Sequence, residues 1–187
     1  MIDIYENSVK FEDDDLLIRF ISKKDAHDLL KVYSDVKAVP LFNSDNCNGD
    51  DFYYTSEERM IEVFEYWNLE YENKGFVRWA ILDKQKGVAI GTIEIFHRDA
   101  NDYYTNCGLL RLDLRSDYEK SDIIEKILTL IIKPVFSLFH CDKVATKAIP
   151  EAIERRKALE KYGFITSKKE LIGHDGSAYR DYFVYVK

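Results

Sequence analysis

The sequence predicts a single α/β domain in which a mixed β-sheet carries helices on both faces. Three observations predict this class. The length of 187 residues and the 46% content of hydrophobic residues suit one domain with one core. Strand-like and helix-like segments alternate along the whole chain. Three successive strands also precede a strand–helix–strand crossover, which is typical of a mixed sheet. No internal repeat or low-complexity linker interrupts this pattern, so the domain is expected to span residues 1–187.

The net charge limits the classes of partner that we expect, and the cysteines indicate the redox environment. The formal net charge of -7 repels phosphate backbones, so nucleic acid is not expected as a partner, whereas the negative field favours a cationic or amine-bearing substrate. Cys47, Cys107 and Cys141 are widely spaced, and reduced thiols in a cytoplasmic protein are the simplest interpretation. The acidic start does not resemble a signal peptide, and no apolar run approaches the roughly 18 residues that span a bilayer. We therefore expect no membrane association.

The first part of the chain predicts one strand and two helices. The run LLIRFI is β-rich, and Ser22 directly after it is a candidate N-cap. An Asn-, Asp- and Gly-rich loop leads to Thr55, which fits a capping box with Glu58. The expected elements are a strand over 16–21, a helix over 23–36, a loop over 43–54 and a helix over 55–75.

The middle of the chain predicts three strands. The runs FVRWAIL and VAIGTIEIF, separated by DKQKG, are typical of a hairpin. The run GLLRLDLR alternates strictly, so that Arg111, Asp113 and Arg115 share one face and leucines share the other. This period of two predicts a strand with one wet or functional face. The expected strands cover 76–82, 88–96 and 108–115.

The last part of the chain predicts two helices and three strands. The first helix is apolar over much of its circumference, and Pro134 should kink or end it because proline lacks the donor for the preceding turn. Pro150 is expected in the first turn of the next helix, and Gly163 is expected to end it. The expected elements are a helix over 119–139, a strand over 143–148, a helix over 150–163 and a closing hairpin of strands over 164–172 and 178–186.

Several short sequence motifs, in order along the chain, match those of a known family. LLIRFISKKDAHDLL stands where that family has "L-x-x-R" followed by "x-x-D-A-x-x-L". Trp79-Ala80-Ile81, Ile90-Gly91-Thr92-Ile93 and the 159–164 run LEKYGF match its "W-A-I", "I-G-T-I" and "L-E-K-x-G-F". The chain resembles the GNAT superfamily of acetyl-CoA-dependent N-acetyltransferases, and within it the Rim-type branch of ribosomal-protein N-terminal acetyltransferases. The resemblance implies a mostly antiparallel seven-stranded sheet with a splayed central strand pair.

The resemblance also implies where acetyl-CoA, the co-substrate, would lie. Its pantetheine arm would pair with the backbone of the strand before the long helix, and its diphosphate would meet the N–H groups at the start of that helix. The family loop "D-Y-W-G-K-G" is eroded here, because Glu119 and Ser121 replace the two glycines, although Lys120 matches. The cofactor-binding residues expected on this basis are Leu112, Asp113, Leu114, Arg115, Glu119, Lys120, Ser121, Asp122, Ile123 and Arg155.

A second family motif is altered as well. Where Rim-type enzymes have "P-E-N-x-x-S", this chain keeps Pro150 and Glu151 but has Ala152 and Arg155 in place of the Asn and the Ser. The position of a general-acid tyrosine in some relatives is Leu159 here. Tyr162 is expected to belong to the core rather than to the site.

Candidate catalytic residues are Asp113 and Glu94, since many GNAT enzymes place a carboxylate on the central strands to take the amine proton. The alternative is a solvated or arginine-paired carboxylate, because Arg111 and Arg115 share the face of Asp113. Phe52, Tyr53 and Tyr54 precede a helix in the segment that walls the acceptor groove of the family. The histidines lack the spacing of metal ligands, and no metal is expected.

Two hypotheses of different class remain at this point. The first is an N-acetyltransferase that transfers acetyl from acetyl-CoA to a primary amine, on a protein N-terminus or a small molecule, by direct attack in a ternary complex. The second is a catalytically silent binding or regulatory module on the same scaffold, which the altered loop and motif would explain. The resemblance implies a monomer or a homodimer.

Overall fold

The computed structural model of the protein describes residues 3–7 and 9–187. The strands are β1 (Phe11–Glu12), β2 (Leu16–Phe20), β3 (Val77–Asp83), β4 (Val88–Arg98), β5 (Cys107–Leu114), β6 (Lys143–Lys147), β7 (Ile165–Thr166), β8 (Leu171–Ile172), β9 (Ala178–Tyr179) and β10 (Tyr182–Val186). The α-helices are α1 (Ala26–Tyr33), α2 (Glu57–Glu72), α3 (Ser121–Leu138) and α4 (Ile153–Tyr162).

One large mixed sheet organises the fold. Its strand order is β1-β2-β3-β4-β5-β6-β10-β7, and every neighbouring pair is antiparallel except β5 and β6, which run parallel. The predicted mixed, mostly antiparallel α/β fold is therefore confirmed. The parallel pair needs a crossover, and α3 provides it because it connects the end of β5 to the start of β6.

The strand count differs from the prediction of seven. The short strand β1 was not predicted, and it adds an eighth strand at the edge of the sheet by pairing with β2. The expected closing hairpin is divided between two sheets. Only β7 and β10 join the large sheet, whereas β8 and β9 form a separate two-stranded ribbon.

Helices cover both faces of the sheet, as predicted. The side chains of α3 and α4 pack with Trp79, Ile93 and Leu112 on one face. The side chains of α1 and α2 pack with Ala80 and Ala89 on the other. Neighbouring residues along each strand point to opposite faces. For this reason Trp79 and Ala80 belong to different cores.

Two helix boundaries correct the prediction and a third confirms it. Ser56, rather than Thr55, caps α2, and its hydroxyl accepts a hydrogen bond from the backbone N–H of Arg59 at 3.2 Å. The helix α4 begins at Ile153, three residues after Pro150, so the proline lies before the first turn. Gly163 does end α4, with a φ of 112° that suits glycine.

Pro134 neither ends nor interrupts α3, contrary to one expectation. The helix begins at Ser121 and continues through the proline to Leu138. A proline inside a helix costs about 3 kcal/mol. The neighbouring side chains Ile131 and Val135 are fully buried, and packing of this kind outweighs the lost backbone hydrogen bond. Among the residues that the structure describes, no helix is long and apolar enough to cross a membrane.

Candidate functional site

The parallel strands β5 and β6 diverge partway along their length. Their pairing starts at Cys107 with Lys143 and ends at Leu110 with Thr146, whereas β5 continues to Leu114. The edge of β5 from Leu112 to Leu114 therefore has no strand partner on the side of β6. This is the splayed pair that the resemblance implies, and such an edge fits a pantetheine chain that forms backbone hydrogen bonds.

The opposite edge of β5 is fully used by β4. Gly91 lies opposite Leu114, and a Cβ atom at this position would collide with the carbonyl oxygen of Asp113, so glycine allows the close approach. Directly beyond β5, the N–H of Arg115 donates to the carbonyl oxygen of Ile90 at 3.0 Å. The backbone donor of Arg115 is thus engaged on the β4 side, and the backbone groups of Asp113 point the same way because they lie two residues back along the strand. Those of Leu112 and Leu114 point to the free edge.

A buried ion pair joins the segment that follows β5 to the helix that follows β6. Glu119 follows β5, and Arg155 belongs to the first turn of α4 after β6. The guanidinium of Arg155 donates to both carboxylate oxygens of Glu119, each at 2.8 Å, and to the carbonyl oxygen of Leu41 at 3.1 Å. The two side chains are only 2% and 8% exposed. We call this pair the clasp.

The start of α3 is also engaged by the protein itself. The N–H groups of Glu119 and Lys120 donate to the carbonyl oxygens of Ser116 and Tyr118, at 3.3 and 2.8 Å. The N–H of Ser121 donates to the carboxylate of Glu154 at 3.0 Å. A negative carboxylate at a helix N-terminus occupies the kind of position that a phosphate would take.

The two parts of the expected CoA site therefore fit CoA to different degrees. The free edge of β5 fits a pantetheine chain, whereas at the start of α3 the carboxylate of Glu154 already occupies the N–H of Ser121, where a diphosphate oxygen would be expected to bind. Lys120 and Asp122 are exposed there, and Ile123 is partly buried against the core. The four main surface cavities of the described residues do not include Glu119, Lys120 or Arg155 in their walls.

A ladder of charged side chains lies on the face of the sheet under α1 and α2. Arg78 on β3 lies opposite Glu94 on β4, and Glu94 lies opposite Arg111 on β5. Each carboxylate oxygen of Glu94 accepts a hydrogen bond from one of the two arginines. All three side chains are buried. We call these residues the Arg–Glu–Arg ladder.

Burial alone would raise the pKa of Glu94, but the adjacent charges of Arg111 and Arg78 outweigh it and hold the pKa below its usual range. Glu94 is therefore ionised at neutral pH and is a poor proton acceptor, since both its oxygens are already paired. This arrangement is the arginine-paired alternative stated for these carboxylates, although the partners of Glu94 come from two different strands.

Asp113 lies one step further along the sheet and is completely buried. Its Oδ2 accepts hydrogen bonds from the hydroxyl of Tyr33 at 2.8 Å and from Arg78 at 3.1 Å, whereas its Oδ1 has no partner. Burial raises the pKa of Asp113 above its usual value, against the opposing effect of Arg78. Of the two expectations for this face of β5, wet or functional, the first is therefore wrong. The face is buried because Tyr33 of α1 covers it, and Arg115 pairs instead with Asp117 at 2.6 Å.

A cavity of about 530 Å³ opens above the ladder, between α2, the loop over 43–54 and the sheet. Arg78, Glu94 and Arg111 form part of its wall, and Asp50, Glu62 and Glu70 add negative charge. The cavity also has aromatic walls. These walls come from Phe52, Tyr54, Tyr66, Trp67, Phe76 and Phe96. We call it the acceptor cavity, because the aromatic segment expected to wall the acceptor groove lies in it.

The predicted residues divide between these features. Phe52 and Tyr54 line the acceptor cavity, whereas the ring of Tyr53 is 44% exposed and lies outside its walls. Leu159 is buried in the core, so no hydroxyl stands at the position of a general-acid tyrosine. Tyr162 packs against the core with the rings of Phe164 and Tyr185, as expected.

Sequence reasoning missed three residues of the site. Arg78 interrupts an otherwise apolar strand run between Val77 and Trp79, and that charge could have been recognised as a buried ion-pair partner. Tyr33 and Glu154 were not singled out, since no local pattern shows that α1 lies over β5 or that the first turn of α4 lies against the start of α3.

Comparison with known proteins agrees with this architecture. The acetyltransferase (GNAT) domain family matches residues 15–165, and the chain therefore belongs to the GNAT acetyltransferase family. No curated protein has a sequence that matches this chain significantly.

Solved structures of several acetyltransferases share the fold. The ribosomal-protein-S5-alanine acetyltransferase from Vibrio fischeri is 18% identical with a TM-score of 0.64, and the match covers 96% of each chain. RimJ of Mycobacterium smegmatis, solved with CoA-disulfide, is 15% identical with a TM-score of 0.66, covering 95% of this chain and 84% of its own. The microcin C7 self-immunity acetyltransferase MccE, solved with acetyl-CoA and AMP, is 13% identical with a TM-score of 0.69, covering 94% of each chain. At these identities the neighbours show that this chain shares their fold.

Proposed function

We propose that this protein transfers the acetyl group of acetyl-CoA to a primary amine that enters through the acceptor cavity. The proposal rests mainly on membership of the GNAT family over residues 15–165. The acceptor cavity and the free edge of β5 support it, because they would bring an amine and a thioester to the same part of the sheet. In this reaction the amine nitrogen attacks the thioester carbonyl carbon, the C–S bond breaks, the thiolate takes a proton and the new amide loses one.

The contribution of this chain would be chiefly to hold the two reactants together. Correct placement alone can supply much of the rate of a two-substrate reaction. The paired carboxylate of Glu94 is a poor base, and the buried Asp113 lies outside the cavity wall. We propose that Asp113 acts as a positioning residue that holds Tyr33 and Arg78, and that the acceptor reacts as its neutral amine. Domain extent over 1–187 and a monomer or homodimer remain part of the proposal.

The rim of the acceptor cavity gives a direct test. Glu62 lines the cavity with a side chain that is 65% exposed, and Glu65 on the same helix is 64% exposed but lies outside the cavity wall. With acetyl-CoA and a panel of peptides and small amines, we expect the protein to release CoA thiol and form acetylated amine. Glu62→Arg should lower kcat/KM for a cationic amine by roughly threefold to tenfold through charge repulsion.

Glu65→Arg is the matched control and should leave kcat/KM nearly unchanged. Equal effects of the two substitutions would count against entry through this cavity. No transfer to any amine at millimolar acetyl-CoA would overturn the proposed function.

The silent-module alternative has less support. The family and the three structural neighbours described above are all acetyltransferases. The clasp would affect how CoA enters its binding site, but it does not by itself imply a different function.

A further inference from the structure

The clasp and Glu154 place two carboxylates where an anion would be needed for CoA. Glu119 is the residue that replaces the first loop glycine, and its side chain is turned towards Arg155 of α4 and is only 8% exposed. Glu154 reaches from α4 to the N–H of Ser121 at the start of α3. Two carboxylates therefore belong to the same region of the fold. Glu154 binds the first residue of α3, and Glu119 lies two residues before that helix begins.

Each contact has the chemistry of a phosphate contact. A guanidinium that binds a carboxylate through two parallel hydrogen bonds presents the same geometry to a phosphate. A backbone N–H at a helix N-terminus likewise donates a hydrogen bond to either anion. The partners of Glu119 and Glu154 are therefore groups that could exchange a carboxylate for a phosphate oxygen without losing a hydrogen bond.

We infer that Glu119 and Glu154 occupy the anion position of the CoA site, so that CoA binds only by displacing them. This inference rests on the acetyl-CoA-dependent function proposed above. Displacement is feasible because Glu154 is exposed and Glu119 belongs to a loop, so both carboxylates can move into solvent. The consequence is a CoA affinity set by competition with the chain's own side chains.

The test is a titration of CoA into the protein, in which isothermal titration calorimetry measures the Kd. Glu154→Ala frees the N–H of Ser121 and removes a negative charge without opening the core. We expect it to lower the Kd for CoA at least about tenfold, the scale of one charge-assisted hydrogen bond. Glu119→Gln should act in the same direction, since it removes the charge but keeps an oxygen for Arg155. Glu151→Ala is the matched control, because Glu151 is exposed and lies just before α4.

The outcomes separate this inference from the proposed function. Tighter binding in Glu154→Ala and Glu119→Gln, with no change in Glu151→Ala, supports the competition. If the unaltered protein and all variants bind CoA with the same Kd within a factor of two, the competition is wrong and the proposed function stands. If none of them binds CoA at millimolar concentration, the proposed function is overturned together with this inference.

Discussion

The Arg–Glu–Arg ladder and the clasp are both buried ion-pair groups, yet they are held in different ways. The ladder side chains belong to three adjacent strands and face one another through the register of the sheet. Arg78 has four partners, which are Tyr33, Thr92, Glu94 and Asp113. The clasp joins a loop to the first turn of a helix, and Arg155 has one anionic partner, Glu119.

This difference distinguishes charged side chains that stabilise the fold from charged side chains that a ligand could displace. Moving Arg78 would leave four buried groups without this partner, and each unsatisfied buried group costs free energy. Moving Glu119 would leave only Arg155 to be satisfied, and a phosphate can do that. We therefore expect the ladder to stabilise the fold and the clasp to control access of CoA.

The largest expected effect is on the ladder. Arg78→Met leaves Glu94 and Asp113 without their central cation, and breaking a buried pair in this way costs about 3–5 kcal/mol. The free energy of unfolding, measured by urea denaturation, should fall by that amount. Arg59→Met is the control, since the Arg59 side chain is 50% exposed and such pairs contribute about 1 kcal/mol or less. Similar losses in the two variants would contradict a structural role for the ladder.

A smaller effect on the same ladder should depend on pH. Glu94→Gln still accepts a hydrogen bond from an arginine, so we expect a loss of about 2–3 kcal/mol at pH 7. The pKa of Glu94 is lowered in the folded state, so its stabilisation is present above the ordinary glutamate pKa of about 4.3 and is lost as the pH falls below it.

The measurement is urea denaturation of both proteins from pH 7 down to about pH 3. The gap between the two free energies of unfolding should narrow as the pH falls below about 4.3. Asp113, whose pKa is raised, would contribute with the opposite sign, but it is present in both proteins and should largely cancel in their difference. A gap that stays constant over this range would show that the charge of Glu94 does not stabilise the fold.

The sequence was sufficient to predict the fold because its signals are local. These signals include the strict alternation in β5, the N-cap Ser22 and the helix-ending Gly163. Each depends on residues within one turn or one strand. The two-sided core follows from the same alternation. The split of the closing hairpin could not be predicted this way, because both of its halves have strand-like composition and only tertiary contacts decide which residues join the large sheet.

The site was predicted less well, for a different reason. Its polar groups meet across long sequence separations, as with Tyr33 and Asp113 or Glu119 and Arg155. Alternation in β5 indicated which side chains share a face, but it could not show that α1 buries that face. The resemblance placed Glu119 and Arg155 near CoA, yet only the structure shows that they bind each other.

The smallest expected effect concerns Lys120, the basic residue that the loop retains. It is exposed at the start of α3, and an exposed charge pair contributes about 1 kcal/mol or less. Lys120→Ala should therefore weaken CoA binding by no more than about threefold, less than the gain expected from removing Glu154. Lys126→Ala, which alters an exposed lysine one turn and a half further along α3, is the control. If Lys120→Ala alone weakens CoA tenfold or more, the loop binds the diphosphate through this cation, and the clasp is not what limits CoA affinity.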